Sequence, residues 1–117
     1  MAFPKTELFP ADDQHVSNLG RALGHPARAY ILRLLVGAGD LYFHEIVYRI
    51  PLTAGTVSEH LKKLRHAGLV KVEEVGLLNR YTLDSVGIRR MLEKQVSFAK
   101  SLINSDFEST ESNTGAG

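Results

Sequence analysis

Glycine and proline close every helical stretch in the first two thirds of the chain, and they dictate short elements there. Val16, Leu19, Ala22 and Leu23 recur at helical spacing until Gly24 ends the run. His25-Pro26 starts a second helix, because proline fits a first helical turn. Ala27, Tyr30, Ile31, Leu34 and Leu35 follow on one face until Gly37 and Gly39 stop it. Asp40 reads as the cap of a short third helix near Leu41 to Ile50, with Phe43, Ile46, Val47 and Ile50 on one side, and Pro51 forbids its continuation. After the turn IPLTAG, Thr53 or Thr56 can cap a fourth helix that runs to about Ala67. Thr56-x-x-Glu59 has the form of a reciprocal capping box, and Gly68 supplies the left-handed exit.

Beyond Gly68 the period changes. LVKVEEV and RYTL read as two strands with Gly76 to Asn79 in the turn between them, a hairpin. A last long helix opens at Asp84 or Ser85 and carries Ile88, Met91, Leu92, Gln95, Val96, Ala99, Leu102 and Ile103 as a broad stripe. Residues 1–12, with Pro4 and Pro10, read as a flexible arm. Residues 13–104 form the domain, and residues 105–117 read as a disordered tail with little to bury. The expected fold is mainly α with a small β-hairpin: about five helices plus a two-stranded wing.

A chain of 117 residues, 44% apolar, supports one such domain with a real core. No run approaches the roughly 18 apolar residues of a membrane span, and the N-terminus lacks the basic-then-apolar order of a secretory signal, so a cytoplasmic protein without a membrane partner is expected. The absence of cysteine excludes disulfides, thiolate metal sites and cysteine nucleophiles. Charge is unevenly spread. Residues 52–90 hold seven Lys or Arg against four acids, a net of +3 that leaves −2 for the remainder, which hints at a polyanion partner.

In the fourth helix Val57, Leu61 and Leu64 must face the domain, which turns Gly55, Glu59, Lys62 and His66 outward, flanked by Thr56, Ser58, His60, Lys63 and Arg65. A short helix, a tight turn, this second helix and a hairpin make the layout of a winged helix-turn-helix, which sets its second helix in the DNA major groove. The expected DNA-binding residues are Thr53, Gly55, Thr56, Ser58, Glu59, His60, Lys62, Lys63, His66 and Arg80.

The order LGHPARAYILRLL, LYFHEI, TVSEHLKKLRHAGLV and a Gly76-containing hairpin ending RYTLD resembles the ArsR family of winged-helix bacterial repressors over residues 16–103. Its most specific parts are Ser58-x-His60-Leu61-x-x-Leu64-Arg65-x-x-Gly68-Leu69 and His25-Pro26-x-Arg28. The resemblance implies a homodimeric transcriptional regulator with Ser58 and His60 in its recognition helix. The apolar excess of the last helix, with the first, gives an expected dimer interface of Val16, Leu19, Leu23, Ile88, Met91, Leu92, Gln95, Val96, Ala99 and Leu102. Two subunits related by a twofold axis should read an imperfect inverted repeat in double-stranded DNA.

The chain departs from the family in instructive places. The Cys-x-Cys pair by which many relatives sense soft metals falls on Tyr42 and His44, and no histidine follows His66 to build the site that other relatives carry on the last helix. No metal and no cofactor are therefore expected, and the effector is unknown. Glu73 and Glu74 stand where relatives often carry a basic residue, so wing contact with phosphate is disfavoured, although Arg80 and Lys71 remain as possible contacts. Tyr30, Tyr42, Phe43, Tyr48 and Phe98 read as core or as an apolar effector pocket. Ser58 and His60, two apart on a helix, point in different directions and do not make a nucleophile and base, so no enzyme is expected. The alternative function is a protein-interaction module, suited by the acidic wing with Leu77 and Leu78 at its tip.

Overall fold

The computed structural model describes residues 8–115, with side chains through residue 104. The chain runs α1 (Ala11–Ala22), α2 (Pro26–Ala38), β1 (Asp40–Tyr42), α3 (Phe43–Arg49), α4 (Ala54–His66), β2 (Val70–Val75), β3 (Leu78–Leu83) and α5 (Ser85–Gly115). Five helices surround an antiparallel sheet ordered β1-β3-β2. α1 begins a turn or more before Val16, on Pro10, whose ring and fixed φ suit a helix start. The expected arm lies largely in residues outside the described range. The backbone of α5 extends past the expected tail boundary at residue 105.

Each helix end follows from a local cause. His25 caps α2 by accepting the Ala27 N–H at Nδ1 (3.0 Å), ahead of Pro26 in the first turn. Thr53, not Thr56, caps α4: its Oγ1 accepts the Thr56 N–H at 3.3 Å and lies 2.9 Å from the Thr56 hydroxyl. Glu59 therefore serves no capping box, and its carboxylate sits 3.6 Å from Lys62 Nζ one turn on. At the other end Gly68, with φ 79°, closes α4. The Leu69 N–H reaches back to the Leu64 carbonyl and the Gly68 N–H to that of Arg65, the paired bonds of a Schellman closure. Asp84 caps α5 by accepting from the Gly87 N–H at 3.0 Å, while its own N–H donates to Leu69 O at 2.9 Å. The end of α4 is thereby tied to the start of α5.

The expected third helix is shorter than the sequence suggested, because Asp40 to Tyr42 form a strand. β1 pairs Asp40 with Thr82, Leu41 with Tyr81 and Tyr42 with Arg80. Asp40 is a strand residue rather than a cap; Glu45 closes the helix start instead by accepting the Tyr42 N–H at 2.9 Å. The wing is longer than RYTL alone, since Val75 pairs with Leu78 across a tight turn in which Gly76 takes φ 63°.

One core joins these parts: Ile31 and Leu35 of α2, Leu41, Ile46, Ile50, then Val57, Leu61 and Leu64 of α4, and Leu69 and Val70 at the root of the wing. Burying this apolar set at about 25 cal/mol per Å² is the main force that fixes α4 on the domain. α1 and α5 lie against each other at one side. There Gln95 Nε2 donates to the Val16 carbonyl at 3.0 Å and Lys94 pairs with Asp12 at 3.7 Å.

Candidate nucleic-acid interface

α4 is locked in rotation by its apolar stripe, and what remains outside is a polar face. Thr53, Gly55, Thr56, Ser58, Glu59, Lys62, Lys63 and His66 are all solvent-exposed, as expected from the helical spacing. Together they offer hydroxyl donors and acceptors near the N-terminus and cations toward the C-terminus. Gly55 leaves the first turn bare, with no heavy atom within 4 Å of where a Cβ would stand. Lys62 is the one cation of this face that has an ion-pair partner among the described residues, the exposed Glu59.

Two of the expected contacts are corrected. His60, placed on the DNA-facing flank from sequence, is buried at 7% exposure. It lies with Val57, Leu61 and Leu64, sharing their three- and four-residue spacing, so the helix carries it inward. Its Nδ1 accepts from Arg28 Nε at 3.1 Å, and its ring lies 4.5 Å from that of His25. Burial, then the neighbouring His25 and Arg28 charges, hold its pKa below the ordinary histidine value. Arg80, expected to reach a phosphate, instead bonds Glu73 Oε1 at 2.9 Å and lies 3.6 Å from Asp40 Oδ2, so its charge is spent within the sheet. Glu73 and Arg80 are directly opposed in the ladder, which explains why this wing tolerates an acid there. Arg28, read from the sequence only as part of the His25-Pro26-x-Arg28 motif, has a structural role that the motif did not reveal. Its Nη1 also donates to the carbonyls of Arg21 (2.7 Å) and Ala22 (3.4 Å), closing the C-terminus of α1.

The expected dimer residues divide into two groups. Leu19, Ile88 and Met91 pack against the core of their own chain, and Gln95 is bonded to Val16, so these are occupied within the subunit. Leu23, Leu92, Val96, Ala99 and Leu102 remain exposed, with Ile103 beside them. The five aromatic residues do not assemble a pocket. Tyr30 is covered by the Arg33 guanidinium at 5.6 Å, Tyr42 stacks on His44, Phe43 joins the core, and Tyr48 is 90% exposed. Phe98 lines a groove of about 730 Å³ between α1 and α5 that also takes in Asp12, Asp13, Arg90 and Lys94. The Tyr42 and His44 rings stack at 5.9 Å, and no group of three or more potential metal ligands comes together among the described residues.

Residues 25–72 match the family described as bacterial regulatory protein, arsR family, a span that opens on His25-Pro26 and closes in β2. The HTH-type transcriptional regulator CmtR of Mycobacterium tuberculosis is 37% identical over 81 residues, covering 69% of this chain and 68% of that protein. This chain belongs to the arsR family. A cadmium resistance transcriptional regulatory protein CadC homolog from Staphylococcus aureus is 28% identical over 90 residues, 77% of this chain and 74% of its own length. Among solved structures, an ArsR-like transcriptional regulator from Rhodococcus superposes with a TM-score of 0.67 at 20% identity, over 90% of this chain and 93% of the other. A homodimeric winged helix-turn-helix DNA-binding domain from Mycobacterium bovis gives 0.60 at 25% identity, over 86% and 89%.

The arsR-family chain is thus a transcriptional regulator with a winged helix-turn-helix fold, in which α3 and α4 form the helical corner and β2-β3 the wing. Regulation rather than catalysis is its role, and Ser58 and His60 are no catalytic pair: one is exposed, while the other is buried with Nδ1 already bonded. No helix among the described residues is long and apolar enough to cross a membrane.

Proposed function

We propose that this regulator is a homodimeric repressor that lays α4 of each subunit into successive major grooves of an imperfect inverted repeat. The observation that carries this reading is the rotational lock of α4. With Val57, Leu61 and Leu64 fully buried, its exposed face is a continuous strip of hydroxyls and cations. The major groove is wide enough to admit such a helix and distinguishes all four base pairs. Ser58, Glu59 and Thr56 are suited to base edges, and Lys62, Lys63 and His66 to phosphates.

The exposed apolar stripe Leu92, Val96 and Leu102 on α5, with Leu23 from α1, supports a second copy of the chain as its cover. A twofold dimer sets its recognition helices about 34 Å apart, one turn of duplex, which is why an inverted repeat is the fitting operator. Such a dimer represses by occupying a promoter, and an effector that spreads its two half-sites would release it. Because the chain has no cysteine, that effector is not a soft metal held by thiolates.

A gel shift with duplex from upstream of the protein's own gene tests the reading. Specific retardation that survives excess random duplex, with two subunits per site, is expected. Weak and sequence-indifferent retardation would favour the second reading, an interaction module. That reading rests on the wing tip, where Leu77 is fully exposed next to Leu78 and the free carboxylate of Glu74.

A further inference from the structure

Outside the proposed DNA-contacting face, one polar cluster around the buried His60 has no part in that contact. His60 sits where three elements meet: the last turn of α1, the first turn of α2 and the middle of α4. Arg28 stands at the centre. Its Nε donates to His60 Nδ1 and its Nη1 to the carbonyls that end α1, so a single guanidinium joins the recognition helix to the helix that packs on α5. His25 covers the His60 ring on the outer side, with its own Nδ1 committed to the α2 cap. Because His60 Nδ1 accepts, the neutral ring carries its proton on Nε2, and that atom is buried with no hydrogen-bond partner.

We propose that Arg28 and His60 form a proton-sensitive joint that positions the recognition helix, intact while His60 is neutral and opened when it takes up a proton. The chemistry leaves little room for another outcome. A proton on Nδ1 would oppose an N–H to the Arg28 Nε–H at 3.1 Å, two donors and two positive charges face to face. The two groups that touch His60 are both basic, Arg28 by hydrogen bond and His25 by its ring, while Arg21 ends α1 beside Arg28 and Lys63 lies one turn along α4. Among the described residues no carboxylate forms an ion pair with any of them, and the nearby Glu59 is turned outward to Lys62. The imidazolium is left with no compensating charge in a site that burial already makes unfavourable to it. Relief requires Arg28 to swing away, which frees the α1 carbonyls and unpins α4 from the α1–α2 corner. His60 and Arg28 are thus positioning residues: neither touches DNA, and both set the angle at which α4 meets it.

The effect has a diagnostic sign. Falling pH makes a protein more positive overall, and that alone strengthens attraction to a polyanion. The joint predicts the opposite for specific binding, which must fall as pH drops. If opening is linked to one proton, the fall is at most about tenfold per pH unit.

This inference rests on the DNA-binding reading, and the test separates the two. The probe is a duplex selected from a random-sequence pool by the wild-type protein at pH 7.5, followed by fluorescence anisotropy from pH 7.5 to 5.5. Wild type is expected to lose affinity progressively, by at most about tenfold at pH 5.5 because the folded His60 pKa lies below about 6.5. His60→Asn, whose side-chain oxygen can replace Nδ1 as acceptor but cannot protonate, should hold within about twofold, while Arg28→Leu should bind weakly at both ends. In parallel, an NMR titration of the full chain without DNA should show His60 protonating below the ordinary histidine value of about 6.5. The amides of Ala22 and Leu23 in α1 and of Leu61 and Lys63 in α4 should shift in the same step. Should no duplex be enriched, the DNA reading fails and the NMR titration alone decides the joint. His60 titrating at or above the ordinary histidine value of about 6.5, or protonating with no response in α1, overturns the joint whatever the DNA result. So does a decline in affinity that His60→Asn shares.

Discussion

Replacing Gly87 by alanine sets two calculable effects against each other. Alanine in a helix is ordinarily favoured over glycine by about 1 kcal/mol, so on propensity alone Gly87→Ala in α5 should stabilise the protein. The surroundings say otherwise. A Cβ at residue 87 would overlap the Gly68 carbonyl oxygen, and would come within 3.0 Å of the Gly68 carbonyl carbon and 3.2 Å of Asp84 Cγ. Neither wall can step back. Gly68 is held at φ 79° by the closure of α4, Leu69 O is bonded to Asp84 N, and Asp84 Oδ1 to Gly87 N itself. Relief therefore costs overpacking strain of about 1–3 kcal/mol together with loss of the α5 cap at about 1 kcal/mol, and the net is a destabilisation of about 2 kcal/mol. For a domain of roughly this size that lowers Tm by about 10 °C. Gly37→Ala is the internal control. Nothing lies within 4 Å of its Cβ position, so α2 should simply gain its propensity, about 0.5–1 kcal/mol and a few degrees. Thermal circular dichroism at one fixed protein concentration reads both, since Tm depends on concentration in a dimer. If Gly87→Ala raises Tm as Gly37→Ala does, α4 and α5 are not in contact at Gly68 and the described junction is wrong.

Other consequences follow from the same contacts. Thr53→Ala removes the side-chain acceptor at the start of α4 and should lower the unfolding free energy by about 1 kcal/mol in urea melts, whereas Thr56→Ala, whose main-chain N–H keeps its partner, should cost less. Stability should depend on pH through His60. Its folded pKa lies below the unfolded value of about 6.5, so the contribution is complete above that value and is lost as pH falls through the folded one. Denaturation midpoints should decline over that window for wild type and less for His60→Asn. Leu92→Asp combined with Val96→Asp puts charge into the exposed α5 stripe, and light scattering should then report a monomer whose circular dichroism is unchanged.

Much of this architecture was legible in the sequence because its punctuation is strong. Gly68, Pro26 and the Val57, Leu61, Leu64 stripe each have one local solution, and the structure adopts it. β1 escaped because three residues show no period, and what makes Asp40 to Tyr42 a strand is β3, forty residues away in the chain. Arg80 was misread for the same kind of reason: its partner Glu73 becomes visible only once the register of the hairpin is known. His60 is different. It shares the spacing of the buried stripe, and the signal was present, but a histidine beside lysines was read as polar. A basic residue at position 28 with no acid near it in sequence was the matching clue. Its partners are an aromatic nitrogen and two helix-end carbonyls, which no charge pattern reveals.

The central claim, that the outer face of α4 meets duplex DNA, is tested most directly by the salt dependence of binding for wild type, Lys62→Ala and Lys63→Ala on a selected inverted-repeat duplex. Log affinity should fall linearly with log salt, and each substitution should flatten that slope by about one unit while leaving sequence preference in place. Slopes identical to wild type for both variants would mean that these lysines meet no phosphate and that DNA, if bound, lies against another surface.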